Sequence, residues 1–471
     1  MKTVLTIFFM LLLLQSGAQD KTLSLKECIE LALNNNISIK QAAVSKESAG
    51  INLQQAKSNL LPDLNGSFAY GYNTGRTVDP LTNGYINQQL ASSNVSISSG
   101  LVLFNGMRLQ NLIRMNKIES QLATENWKLA KENITLQVIL NYLQVLSSDE
   151  IMKIASAQAE VTARQVERLS LLVSEGAAAL YQLEELKGQL AGEEISKVNA
   201  GNALQQAKLS LCQLMNIPYN PSLMLQKESA VSKDEMYKDN PGTIYEQASK
   251  QFPAMKAGLL SIKSAQTNLR IAKAAYFPVL SLNANLGSSY SSLAQTLKPT
   301  AVTETVTGNY VELGGAEIPV MARQQQFSSS PTGYGTQLNN NLGKFIGINM
   351  QIPLFNRMQA KNSVRLAVTN LKSRQLEMEN QQLILKQNIE QAYLDMSGAF
   401  QRMELLKGQV KNFEESFRSA TIRLESGVLN ITEFLISKNN LDRSRINLLQ
   451  AVYEFQFRTK VLDYYKGTLA P

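Results

Sequence analysis

The chain holds no histidine, and with it go the commonest general base and metal ligand, most hydrolase triads and most zinc sites. Its two cysteines are Cys28 and Cys212. Each sits in an amphipathic helical pattern, where a small buried hydrophobe is the plain reading. A disulfide in an oxidising compartment is the alternative, and nothing in the spacing brings the two together. The sequence has no phosphate-binding loop and no Ser/His or Cys/His pairing. An enzyme would have to run on carboxylates alone, with no cleft to gather them, so no catalytic, cofactor-binding or metal residue is assigned. The 46 basic and 38 acidic side chains, net +8, are interspersed along helical stretches. That is the pattern of solvated helix faces and points to neither a nucleic-acid partner nor a polybasic membrane patch. What the carboxylates do therefore depends on the elements that hold them.

The dominant elements are two long helical hairpins, 106–215 and 357–466. The first is free of proline, rich in Leu, Gln, Lys, Glu and Ala, and carries apolar residues at three-and-four spacing: Leu109, Leu112, Ile113, then Ile134, Val138, Leu143, Val145 and Leu146. The second follows 251 positions later, with Leu103-Phe104-Asn105-Gly106 answered by Leu354-Phe355-Asn356-Arg357 and Glu175-Gly176 by Ser426-Gly427. An unbroken helix from Met107 to Val173 would be roughly 100 Å long at ~1.5 Å per residue. No globular core needs that length; a coiled coil or the wall of a tube does. Gly176 and Gly427 suit the left-handed position that ends a helix, so each hairpin turns there.

Ahead of each hairpin lie short helices and then residues of period two. Helices are expected over 24–60, with Ser24 and Glu27 at capping-box spacing and an interruption at Asn34-Asn35-Asn36. Helices are expected again over 243–277, interrupted at Phe252-Pro253; the two stretches end before Pro62 and Pro278. Four strands follow from the alternation: 63–73, 93–104, 279–287 and 346–355. Phe68, Tyr70 and Tyr72, then Val95, Ile97 and Leu101, then Leu280, Leu282 and Leu286, then Ile346, Ile348 and Met350 share one side, and small or polar residues share the other. About ten residues with this alternation suits strands crossing a bilayer at a tilt, lipid outside and water inside. The alternative is two ordinary hairpins whose apolar face packs on a soluble helical domain. Polar loops of unequal length, about 74–92 and 288–345, join the strand pairs, and 216–242 is a polar connector between the halves.

Lys2, the apolar run Val4 to Leu14 and the small residues Ser16 and Ala18 form a secretory signal segment over 1–18, cut after about Ala18. Its apolar run is too short to span a bilayer as a helix. With no other apolar helix, insertion into a membrane has to be as β-strands closed into a barrel. Four strands per chain are too few for a barrel, since bacterial ones start at about eight, so copies of the chain must combine. The strands alone do not separate two copies from three.

This order of elements, given twice behind a signal segment, resembles the outer membrane efflux protein family of TolC-like channels. The duplicated joints Ala56-Lys57…Pro62 and Ala272-Lys273…Pro278, the strand exit Pro353-Leu354-Phe355-Asn356 and the tip Arg423-Leu424-Glu425-Ser426-Gly427 carry the likeness. The resemblance implies an α+β membrane protein with two internal repeats, 19–215 and 243–471. It implies a homotrimer whose strands form one twelve-stranded outer-membrane barrel, continued by a coiled-coil tube in the periplasm. It also implies a passive efflux duct that docks a periplasmic adaptor and an inner-membrane pump at the hairpin tips. In that family an acid six positions after the tip glycine lines the constriction. Glu433 holds that place here and Gln182 its counterpart, with Glu184 and Glu185 close by. Leu424 and Leu429 stand where some members carry a latching tyrosine and arginine, and Arg423 is the nearest residue to replace them. The adaptor-contacting turns correspond to Glu175-Gly176-Ala177 and Ser426-Gly427-Val428. Without the resemblance, a periplasmic or surface coiled-coil scaffold or adhesion protein is the other reading.

Overall fold

A computed structural model of the chain describes residues 22–78, 83–87, 89–227 and 235–469. The signal segment and part of the inter-half connector lie outside the described residues. In chain order the elements are α1 (Leu25–Asn35), α2 (Ile37–Ser58), β1 (Asn65–Asn73), β2 (Arg76–Val78), β3 (Tyr85–Asn87), β4 (Leu90–Phe104), α3 (Arg108–Ser174) and α4 (Leu180–Met215). Then come α5 (Pro241–Gln251), α6 (Pro253–Lys273), β5 (Val279–Ser291), β6 (Gln295–Leu313), β7 (Ala316–Pro331), α7 (Tyr334–Asn340), β8 (Gly343–Gln351), α8 (Gln359–Glu425) and α9 (Ile431–Lys466). Both α3 and α8 run 67 residues and both α4 and α9 run 36.

Local chemistry sets the ends of these helices. Ser24 caps α1: its Oγ accepts the Glu27 N–H at 3.3 Å while the Glu27 carboxylate accepts the Ser24 N–H at 3.0 Å. The expected interruption narrows to Asn36, whose side chain donates to the Leu214 carbonyl at 3.1 Å. Asn240 caps α5, with Pro241 in the first turn where its missing N–H costs nothing. The helix expected to reach Phe277 ends at Lys273 and tightens into a 3-10 turn, Ala274–Tyr276, ahead of Pro278.

The chain divides into two compact units, and neither follows the two halves of the sequence. One comprises Met1–Asn52, Asn116–Gln266 and Thr369–Pro471, the other Leu53–Met115 and Thr267–Val368. The first is helical and has three apolar clusters. One gathers α1, α3 and α4 around Val138, Tyr142, Leu211 and Met215. Another gathers Ile244, Ile389, Met396, Met403 and Leu462. The third lies at the hairpin tips. Cys28 and Cys212 meet in the first cluster as free, buried thiols; burial above all, then the charge of Glu27, pushes the Cys28 thiol up to about 12. The disulfide alternative is therefore not what this structure holds.

The second unit carries an antiparallel four-stranded sheet in the order β1-β4-β5-β8. The register puts the expected apolar residues on one face, with Phe68 opposite Val95, Ile97 opposite Leu286 and Leu282 opposite Ile348. Ser67, Ser96 and Gly287 line up on the other, where the Ser67 and Ser96 hydroxyls share a hydrogen bond at 2.7 Å. Phe68, Ile346 and Ile348 are 66%, 74% and 67% exposed. The face is therefore open to solvent, as strands that meet lipid require. Two expectations need correction. The strand expected over 346–355 stops at Gln351, because Pro353 has no N–H to give to a ladder. The second loop, expected to be a plain polar loop over 288–345, contains the β6–β7 hairpin and α7, while the first contains the small β2–β3 hairpin.

Candidate gate at the hairpin tips

Both helical hairpins turn on a glycine in the left-handed region, Gly176 at φ 73° and Gly427 at φ 71°. The Ala177 N–H donates to the Leu172 carbonyl at 2.8 Å and the Val428 N–H to the Arg423 carbonyl at 2.9 Å. These are the long closing bonds of a Schellman turn. Glu175, Gly176, Ala177, Ser426, Gly427 and Val428 are all exposed, so both turns present their surfaces to solvent.

The returning helices start differently. Ala179 gives α4 no side-chain cap. Asn430 caps α9, accepting the Glu433 N–H at 2.9 Å and donating to the Glu433 carboxylate at 3.1 Å. Glu433 thus lies in the first turn of α9, exposed, with its charge at the positive end of the helix dipole. Gln182 holds the matching place in α4, half-buried. Glu184 pairs with Lys187 at 2.9 Å, and Glu185 accepts the Thr432 hydroxyl at 3.4 Å. Arg423 enters the turn through its carbonyl, and its side chain is exposed.

Behind the turns the two hairpins are joined by an apolar layer and then a polar one. Leu186 of α4 packs with Ala420, Leu429, Ile431, Phe434 and Leu435, and Phe434 is fully buried. Phe417 and Phe434 pack at a tilt with ring centroids 5.4 Å apart. Leu424 and Leu429 belong to this layer, so apolar packing stands at the two places that the resemblance matches to a latching tyrosine and arginine. In the polar layer the Lys438 ammonium donates at 2.8 Å to Glu193 of α4 and at 2.8 Å to Asp442 of its own helix. Those side chains are only 4%, 10% and 18% exposed. Gln189 donates to Glu193 at 2.8 Å and to Asn439 at 2.9 Å. The second Glu193 oxygen is buried without a partner.

Lys438, Glu193, Asp442 and Gln189 were not singled out from the sequence. A signal existed: Glu185, Gln189 and Glu193 recur every four residues, which makes one stripe along α4, and Thr432, Asn439 and Lys438 of α9 meet that stripe in order. The arrangement can hold or release one hairpin relative to the other and can present acidic charge near the turns. Among the described residues no group of acidic or cysteine side chains is placed to hold a metal ion, and no helix is long and apolar enough to cross a membrane.

Comparison with known proteins agrees with the fold. The chain is 20% identical to outer membrane protein TolC of Escherichia coli (strain K12), over all of this chain and 87% of that protein. It is 23% identical to the probable outer membrane lipoprotein SilC of Salmonella typhimurium, over 90% of this chain and 81% of that one. The structure of the Campylobacter jejuni CmeC outer membrane channel superposes with a TM-score of 0.76 at 15% identity, over 94% of this chain and 86% of that chain. The outer membrane efflux protein family matches residues 28–216 and 244–459, which takes in the first helical hairpin, all eight strands and all but the last two turns of the second hairpin, so the chain belongs to that family and acts in efflux as a channel protein of the outer membrane.

Proposed function

We propose that the chain is the exit duct of a tripartite efflux assembly, a homotrimer that conducts substrate passively from periplasm to exterior when docked to a periplasmic adaptor and an inner-membrane pump. The observation that carries this reading is the four-stranded sheet with two exposed faces and two free edges, β1 and β8. An apolar face on one side and a polar face on the other suit lipid outside and water inside. Because β1 and β8 run in opposite directions, the β1 of a second copy continues the antiparallel order beside β8. Two copies would give eight strands, an interior just filled by side chains, whereas three give twelve and leave a lumen. A conduit favours three.

The same order and lengths of helices in the two halves support two structural repeats, 19–215 and 243–471. In the assembled duct the helical hairpins build the periplasmic tube. Glu433 rings the constriction, with Gln182, Glu184 and Glu185 near it, and repels anions by focusing the field. Lys438 with Glu193 and Asp442 ties the hairpins in the resting state, supported by the apolar layer around Phe434; Arg423 is free to meet a neighbouring copy. The turns at Glu175-Gly176-Ala177 and Ser426-Gly427-Val428 are the adaptor-facing surfaces, with Val428 the most apolar group they offer.

The mass of the protein extracted from outer-membrane fractions in mild detergent tests the assembly. Three chains that stay soluble only with detergent support the duct. A single chain or a pair released without detergent sinks it and returns the coiled-coil scaffold as the better account.

A further inference from the structure

The β6–β7 hairpin is far longer than a connection between β5 and β8 needs. Its strands are 19 and 16 residues, and at about 3.3 Å per residue the hairpin reaches roughly 50 Å. Nearly every residue along it is exposed, yet it is two-faced. Val302, Glu304 and Val306 stand opposite Gln325, Arg323 and Met321, and the register carries Leu297, Tyr310 and Phe327 onto that same side. The other side is polar over the root half of the hairpin, with Lys298 opposite Ser328 and Thr303 opposite Gln324, and turns apolar only near the tip, where Val311 stands opposite Ile318.

The root of the hairpin is fixed. Gln337 of α7 is 3% exposed. It accepts the Ser291 N–H at 2.9 Å and donates to the carbonyls of Ser291 at 3.0 Å and Thr332 at 2.8 Å. Tyr334 hydrogen-bonds Ser93 of β4 at 3.0 Å, and Asn341 donates to the Ser289 carbonyl at 2.8 Å. A free two-stranded hairpin is marginal in water, and both outer edges here are unpaired. A firmly rooted, two-faced hairpin of this length needs a partner for its apolar side.

We propose that the β6–β7 hairpins of neighbouring copies of this chain pack on one another through these apolar faces, an interface beyond the sheet at the outer mouth. This rests on the trimeric reading, which repeats the same hairpin at the same height around one axis. A twelve-stranded barrel is about 25 Å across, so hairpins of roughly 50 Å rooted on its rim reach one another. Lipid is the poorer occupant. The Glu304–Arg323 pair, 3.2 Å apart, sits in the middle of the apolar face. Glu312 and Glu317 stand opposite each other on it at the tip, and charges there are costly in hydrocarbon.

The test is a double variant, Val306→Cys with Phe327→Cys, in the full-length assembly, oxidised with copper phenanthroline and compared with the polar-face pair Thr303→Cys with Ser328→Cys. Val306 lies opposite Met321, six residues short of Phe327, so a bond within one hairpin is out of reach. Cross-linked dimers and trimers at least fivefold above the polar-face pair are expected. No excess over the polar-face pair, in a protein whose detergent mass is still several chains, overturns the proposal and leaves the trimeric reading standing. A single-chain mass overturns both. Quenching of a fluorophore on Val306→Cys by nitroxide-labelled lipid, in vesicles holding the intact assembly, would place the face in lipid and also overturn it.

Discussion

Replacing Lys438 by Met leaves Glu193 and Asp442 as two carboxylates at the junction of the hairpins with no cation between them. Both are largely buried, at 10% and 18% side-chain exposure, and one Glu193 oxygen already lacks a partner. Removing one member of a buried ion pair costs about 3–5 kcal/mol, most of it the stranded charge rather than the lost attraction. Asp442 is the more exposed acid and can turn to water, which puts the expected cost near the lower end, about 3 kcal/mol. At 1.4 kcal/mol per tenfold that is more than a hundredfold change in the balance between tied and separated hairpins. The readouts are open time in planar bilayers and hydrogen exchange of backbone amides around Leu186 and Phe434. The variant should open more often and exchange faster. Adding Glu193→Gln and Asp442→Asn should restore most of the resting behaviour, since the stranded charge is then gone. Wild-type open time and exchange in Lys438→Met alone would show that the buried pair does not hold the hairpins.

Glu433→Ala should weaken cation preference in the same bilayers, and it should cost α9 only about 0.3–1 kcal/mol because Asn430 still caps the helix; unchanged selectivity would remove Glu433 from the pore lining. Gly106→Ala should lower the temperature at which the detergent-held assembly dissociates, at a cost of about 1–3 kcal/mol, because its Cβ would lie 2.9 Å from the Phe277 Cβ and 3.0 Å from the Ala274 carbonyl. Arg357, the matching residue of the second half, already sits at φ 53°, so Arg357→Gly should be neutral or mildly stabilising. No loss in Gly106→Ala would show that the close approach does not fix Gly106, and a loss in Arg357→Gly would show that the Arg357 side chain, not its backbone, holds that turn.

Much of the fold was legible because it is local. The helix expected over 107–173 is observed as Arg108–Ser174, since proline-free three-and-four spacing and a terminal glycine act within a few residues of themselves. The shared apolar face of four strands was readable for the same reason, period two being a property of the backbone. The β6–β7 hairpin was missed although Thr303, Thr305 and Thr307 alternate with Glu304 and Val306 ahead of Gly314-Gly315. Its two strands are too polar to be told from a Ser/Thr/Gly/Gln-rich loop until each is seen to pair with the other.

For the tips, the sequence by itself determined where the hairpins turn and which residues flank the turns. It did not determine which charge is buried. Lys438 and Asp442 are four apart, the same spacing as Lys386 and Glu390, a pair that remains 59% and 54% exposed. Tertiary structure alone makes the difference, by laying the Glu185-Gln189-Glu193 stripe of α4 against α9 from about 245 positions away and shutting water out between them. The pairing order β1-β4-β5-β8 was decided the same way. Which strands become neighbours, and which edges are left open for another copy, depends on contacts between distant segments that no local period encodes.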